Sequence, residues 1–512
     1  MRSTMWALEA SARPRDVAVI DVGPNSVRLV LYRVEGRAVW TVFNEKILAG
    51  LGRDLAVTGK LSPEGVDAAM AALRRFAALV AAAKPDHVFA AATAAARDAA
   101  DGPAFCRRVR AETGLELRVL TGAQEARYSA LGVLAGAPAS QGLVGDLGGA
   151  SLELIRLDDG QPGDGVTLPL GPFSFKDTGR FDPERVANKV QRRLKDHAER
   201  LKTQQFHAVG GAWRNLAMLA MRMSGYPLEI IHQYELSRRE ALEAARVIAR
   251  QSKGSLERIE GISRQRLETL PHAAAVLEGL VETLGIERVV LSAYGLREGL
   301  LFEAMPPALR AQDPLIEGCA ALSAREGATP ALGPALERWV SPAFDALDPV
   351  FDAREPALIA AACRLADLGA RLHPDHRADL IFHQVLRAPI PGMSHPERVF
   401  LAATLFGRHT AATTAPEPAL IARLLTHERL QRARALGAAI RLGCDLSGRN
   451  PELLERARLD IRPNSVVLEA DEASAQILFG EQTAKRAATL AGFLDRDLKL
   501  RAVSPERLRE TA

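Results

Sequence analysis

Residues 17–32 read VAVIDVGPNSVRLVLY, an apolar run, a short polar turn and a second apolar run. Glycine in such a turn lets the backbone approach a ligand and aims consecutive N–H groups at an anion, while Asn and Ser side chains add donors. Gly23, Asn25 and Ser26 supply that set, and Asp21, at the strand end, is a hard oxygen donor placed to hold a cation beside it. Residues 142–157, GLVGDLGGASLELIRL, repeat the plan with Gly148, Gly149 and Ser151 in the turn. In register, Asp21 falls on Asp146, Gly23 on Gly148, Ser26 on Ser151 and Leu29 on Leu154, all at one offset of 125 residues. Four matches at a constant offset indicate two copies of one supersecondary unit. A third glycine turn stands at Gly210-Gly211. One Asp-x-Gly alone is an ordinary turn; three glycine turns, two in register, point to phosphate binding.

The apolar runs are the arms of β-hairpins. After the first hairpin the sequence predicts a helix from Ser62-Pro63 to about Ala83, a strand at His87–Ala91 and a helical turn carrying Arg97. A strand at Glu116–Leu120 and a helix from about Ala123 follow. After the second hairpin come a strand at Val166–Leu170, a basic helix at about Glu184–Lys202, the strand Phe206–Val209, and a helix from Ala212. Strands alternating with helices define an α/β class. The expected architecture is two half-domains, 15–137 and 138–305, with both hairpin turns lining a cleft between them. Glu125 falls in the first turn of a helix at the cleft edge, where it either complements the helix dipole or acts on a ligand. Glu153 shares a strand face with Ser151; it either faces solvent or, with Asp146, coordinates a cation.

Six segments appear in one order: IDVGPNS (20–26), ATAAARDA (92–99), VLTGAQEAR (119–127), GDLGGASLE (145–153), AVGGAWRNLA (208–217) and LREGLLFE (296–303). Together they resemble the exopolyphosphatase/guanosine pentaphosphate phosphatase (Ppx/GppA) family over roughly residues 15–305. The resemblance implies an actin-like fold of the ribonuclease H-related (ASKHA) type, Mg²⁺, a homodimer, and hydrolysis of a terminal phosphoanhydride. It also implies that Glu125, in the family's G-x-E-E-A segment, is the general base, and that Arg97 is a phosphate-contacting arginine. Inorganic polyphosphate is the leading substrate and pppGpp the nearest alternative. A small-molecule kinase would need an adenine pocket near Gly210–Asn215, where Trp213 either stacks on a base or fills space. A non-catalytic sensor of polyphosphate or alarmone is a further reading, prompted by departures from the family pattern. Pro24 replaces the first serine of loop one and removes a backbone donor; Ala150 replaces a glycine of loop two; Gln124 replaces the first glutamate of the usual pair.

From about Pro306 the texture becomes helical and rich in Ala, Leu and Arg. Residues 306–445 are expected to form an HD-phosphohydrolase-like helical domain, and 446–512 a small α+β piece. A working HD site needs adjacent His-Asp ligands; here the pair reads Ala366-Asp367, so a metal-free remnant is expected. A helix from about Thr426 to Cys444 carries Arg429, Arg432, Arg434 and Arg441, read either as solvated surface or as a track for a polyanion. Residues 457–468 predict two short strands around Pro463-Asn464, followed by a helical stretch at about 473–494.

The whole chain has 512 residues, too many for a single core, with 47% apolar and 25% charged residues. A net charge of +4 suits a polyanion without demanding one, and no nucleic-acid partner is expected. The four cysteines share no C-x-x-C spacing and read as free thiols. No apolar run is long enough for a membrane span or a signal peptide, so a cytoplasmic protein without membrane association is expected.

Overall fold

The computed structural model describes residues 13–175, 181–251, 254–255 and 269–504. The chain divides into two compact units, Met1–Gln312 and Asp313–Ala512.

The first unit holds two mixed sheets. In one, β1 (Arg15–Val22), β2 (Val27–Glu35) and β3 (Ala38–Ile47) form an antiparallel meander, and β4 (His87–Ala92) and β5 (Arg118–Val119) add in parallel, giving the order β3-β2-β1-β4-β5. The other repeats this with β6 (Gly142–Leu147), β7 (Leu152–Asp158), β8 (Gln161–Leu168), β9 (Gln205–Val209) and β11 (Arg288–Leu291), while β10 (Glu235–Ser237) pairs antiparallel at the edge. Its order is β10-β11-β9-β6-β7-β8, the same meander-then-parallel plan. The fold is therefore α/β with two actin-like halves. Strands β3, β10 and β11 were not among the elements expected from sequence; β10 and β11 have only 3 and 4 residues, too few for a period-2 signal.

Local signals set the helix limits. The helix Pro63–Ala83 starts with proline after Ser62 and ends at Lys84 in the left-handed region. It buries Ala69, Met70, Leu73 and Phe76, a spacing of three and four that makes one face. The helix Gly122–Gly136 opens on a capping box: the Gln124 amide N–H donates to Thr121 Oγ1, and the Thr121 N–H to Gln124 Oε1. Gln124 thus has a structural duty of its own. This helix lies backbone to backbone with the helix Leu296–Ala304: a Cβ on Gly132 would fall 2.1 Å from the Gly295 carbonyl oxygen, and one on Gly299 1.8 Å from that of Tyr128. The two helices share a core with Val17, Val19 and Val30 from the first sheet and Val144, Ile155 and Leu157 from the second. That common core fixes the two halves to each other and sets the cleft between their turns.

The second unit is helical, including Pro314–Arg325, Leu332–Phe344, Glu355–Arg364, Pro374–Arg387, His395–His409 and His427–Leu446. A sheet β12 (Ala457–Arg462), β13 (Ser465–Asp471) and β14 (Asp497–Val503) closes it, with β12 antiparallel and β14 parallel to β13. The stretch expected as one helix at 473–494 is two, Glu472–Leu478 and Glu481–Phe493, parted at Gly480. Asp367 pairs with Arg449 at 3.1 Å, His383 with Glu417 at 3.1 Å, and His409 Nε2 donates to the Leu368 carbonyl. Among the described residues no three His, Cys, Asp or Glu cluster as a metal site.

The four arginines expected as a polyanion track are largely engaged inside this unit. Arg432 is ion-paired with buried Glu355 and donates to the Asp348 carbonyl at 2.7 Å. Arg429 donates to the Val350 carbonyl at 3.0 Å and lies over the Phe351 ring, and Arg434 donates to the Thr413 carbonyl. Arg441 is half-buried, with its pKa lowered by desolvation and by Arg486. None of the four stands fully exposed. Helical spacing placed them on a flank; packing turned the flank inward. All four cysteines are free, and no described helix is long and apolar enough to cross a membrane.

Candidate active site

The two hairpin turns face a cleft of about 230 Å³ within the first unit. They are built alike: the Gly23 N–H donates to the Ser26 carbonyl at 2.9 Å, and the Gly148 N–H to the Ser151 carbonyl at 2.9 Å. Gly23, Asn25, Ser26, Gly148 and Gly149 line the cleft, and Ser151 is buried just behind it. Loop one is braced by a neighbouring turn, with the Gly50 N–H on the Asn25 carbonyl at 3.1 Å and the Gly52 N–H on the Pro24 carbonyl at 2.7 Å. The proline lies close to this brace, since a Cβ on Gly52 would sit 2.9 Å from Pro24 Cβ. Ala150 has an anchoring role, its carbonyl accepting from the Gly171 N–H at 3.1 Å.

Gly210 and Gly211 form the third wall at the start of the helix Gly211–Met223. Gly210 has φ +117°, and a Cβ there would fall 2.6 Å from the Leu147 carbonyl oxygen, so glycine is required. Trp213 is fully buried, donates from Nε1 to the Ala273 carbonyl at 2.9 Å and packs edge-on against Phe206. It fills the core and is not a stacking surface for an adenine.

Four carboxylates, Asp21, Glu125, Asp146 and Glu153, line the cleft. Glu125 is buried, with its pKa pushed up to about 8, chiefly by desolvation, against the pull of Arg97 and with Asp146 and Asp21 adding repulsion. Asp146 and Glu153 are directly opposed on paired strands β6 and β7. Burial raises both pKa values; Ser129 Oγ donates to Asp146, while Glu125 adds repulsion at Glu153. Glu153 Oε1 is buried without a hydrogen-bond partner among the described residues. An orphaned carboxylate oxygen beside a second carboxylate suits a hard divalent cation, which commonly takes one or two protein carboxylates and completes its shell with water and phosphate. Asp21 differs, accepting from Arg297 Nη1 at 3.1 Å and thus already charge-paired.

Arg97 does not line the cleft. Its fork is taken by Asp98 at 2.8 Å, the Leu120 carbonyl at 3.2 Å and Glu125 Oε1, so it holds the carboxylate of Glu125 in place. The arginines that do line the cleft are Arg28, Arg214 and Arg297, none singled out from the sequence. Two signals were present: Arg214 and Arg297 lie inside the quoted segments AVGGAWRNLA and LREGLLFE, and the 125-residue offset sets Arg28 on Glu153.

The family model described as "Ppx/GppA phosphatase family" matches residues 30–308, and that described as "Exopolyphosphatase, C-terminal" matches residues 316–500. The chain belongs to the Ppx/GppA phosphatase family. Similar curated proteins include Exopolyphosphatase 1 of Mycobacterium tuberculosis, 27% identical over 312 residues that cover 56% of this chain and 88% of that protein. Exopolyphosphatase 1 of Mycobacterium leprae is 27% identical over 305 residues, covering 56% and 89%. Among solved structures, the Aquifex aeolicus Ppx/GppA family member has a TM-score of 0.50 at 24% identity, covering 56% of this chain and 97% of its own. An exopolyphosphatase from Cytophaga hutchinsonii has 0.52 at 21%, covering 56% and 97%. At such identities the solved structures speak for the fold alone. As a family member the protein is a phosphatase.

Proposed function

We propose that this phosphatase is a Mg²⁺-dependent exopolyphosphatase that releases orthophosphate from the chain end of inorganic polyphosphate. The observation that carries this reading is the placement of buried Glu125 at the edge of a cleft whose facing glycine turns have the same internal hydrogen bond. Donors from the turns and from the Gly210-Gly211 helix start hold the terminal phosphoryl group. Arg97 fixes the orientation of Glu125, which takes a proton from water as the water oxygen bonds to phosphorus in line with the departing bridge oxygen. Glu125 must be ionised to do so, and its raised pKa places that ionisation near pH 8 in the free protein. Asp146 and Glu153 would hold Mg²⁺, which offsets phosphate charge and favours the ionised form of the nearby carboxylates. Names of relatives support polyphosphate as substrate; the alternative, 5′-hydrolysis of pppGpp, uses the same chemistry with another leaving group. Phosphate release measured side by side on long polyphosphate, pppGpp and ATP tests the proposal. Faster turnover of pppGpp would replace it with the alternative.

A further inference from the structure

The helix that presents Glu125 carries a second polar side chain one turn further on. Ser129 is 1% exposed and stands behind the cleft, on a stretch where Ala126, Tyr128, Ala130, Leu131 and Val133 are all buried. A hydroxyl in such surroundings costs stability unless it is hydrogen-bonded. Its hydrogen bond goes to the facing strand β6, where Oγ donates to Asp146 Oδ2. An alanine would serve the packing of this helix as well; the serine serves Asp146.

That bond makes the two oxygens of Asp146 unequal. Oδ2 is held from behind by Ser129, and Oδ1 accepts no hydrogen bond among the described residues. Oδ1 lies toward the third glycine turn, 3.3 Å from where a Cβ on Gly210 would stand, so the bare glycine keeps its approach open. Directly across the ladder, Glu153 keeps Oε1 buried without a partner. The matching aspartate of the first hairpin is handled differently. Asp21 Oδ2 meets the Arg297 guanidinium at 3.1 Å, which offsets its charge, whereas a neutral hydroxyl fixes Asp146 and offsets nothing. Ser129 thus limits what Asp146 offers a ligand to a single oxygen set in advance.

We infer that Ser129 is a positioning residue that makes the cleft selective for Mg²⁺ over Ca²⁺, by holding one oxygen of Asp146 out of reach of the ion. This rests on the proposed reading of Asp146 and Glu153 as the cation site and adds a selectivity to it. Ca²⁺ gathers about six to eight oxygens and readily takes both oxygens of one carboxylate. Mg²⁺ is smaller, uses one or two carboxylates and keeps several waters. A carboxylate free to turn serves either ion. One whose Oδ2 is bound to a hydroxyl has lost the two-oxygen mode and kept the one-oxygen mode, which disfavours the larger ion. Outer hydrogen bonds of this kind orient a ligand before any metal arrives, and losing one typically costs about 10–100-fold in affinity.

The test counts Mn²⁺ bound to the full-length protein, without substrate, from the loss of its free-ion electron paramagnetic resonance signal, and then displaces it with Mg²⁺ or Ca²⁺. In Ser129→Ala the Mg²⁺ affinity should fall about 10-fold while the Ca²⁺ affinity stays within about 3-fold or rises. Ser129→Thr, which restores the hydroxyl, should keep the parent preference. Should the alanine variant not fold, Ser129→Cys, of similar shape and a weak donor, gives the same comparison. An unchanged Mg²⁺/Ca²⁺ ratio, or equal weakening of both ions, overturns the inference and leaves the cation site standing. A parent that binds no Mn²⁺ overturns the inference and the cation site together. Phosphate release by the parent is assayed alongside, so that failure of the proposed function is read separately from the two affinities.

Discussion

Glu125→Gln should move activity and stability in opposite directions. Loss of a general base costs roughly 10²–10⁴ in rate, so phosphate release should drop to near background. Binding of polyphosphate should stay within a few-fold or tighten, since a negative charge leaves an anion site. For stability, the Glu125 pKa is about 8 when folded against an ordinary 4.5, so between those values the folded chain holds a proton the unfolded chain has lost. Stability from this group therefore falls as pH rises across that window. One pK unit is about 1.4 kcal/mol, which sets a ceiling of about 5 kcal/mol on the cost of the ionised carboxylate above pH 8. Glutamine is a near-isostere without that cost, and Arg97 keeps Asp98 and the Leu120 carbonyl as partners. Thermal melts at pH 5 and pH 9 should show the variant close to the parent at pH 5 and several degrees more stable at pH 9. Parental turnover in the variant would refute Glu125 as base. A variant destabilised at both pH values would show that the carboxylate is a structural partner of Arg97.

Asp146→Asn should raise the Mg²⁺ concentration giving half-maximal rate, because one hard anionic ligand is lost; an unchanged metal titration rejects that role. Gly210→Ala should lose activity and about 1–3 kcal/mol of stability through its positive φ and the contact with Leu147, read by urea unfolding and phosphate release. Arg432→Gln leaves Glu355 buried without its ion-pair partner and should cost about 3–5 kcal/mol. If it instead leaves stability intact and weakens only long-chain polyphosphate binding across a salt series, the polyanion track is restored.

The repeat, the hairpins and the glycine turns were legible in the sequence because each depends on contacts between near neighbours. The Gly23–Ser26 and Gly148–Ser151 hydrogen bonds close over three residues, and the limits of the helix Pro63–Ala83 follow from its first residue and the two flanking it. Those features located the aspartates and the glycine turns that line the cleft. Tertiary structure decided which charges meet. Arg28, Arg214 and Arg297 come from three distant segments; the quoted segments and the repeat offset marked their neighbourhoods, and the fold brought them to one cleft. In the same way the sequence left Arg432 as either solvated surface or polyanion track, and the fold pairs it with Glu355, 77 residues away. Arg97 was expected on phosphate; the fold turns it toward Glu125, 28 residues on. Periodicity records which face of an element is apolar, but the partner of a charged side chain is chosen by packing, which brings together groups that the chain keeps apart.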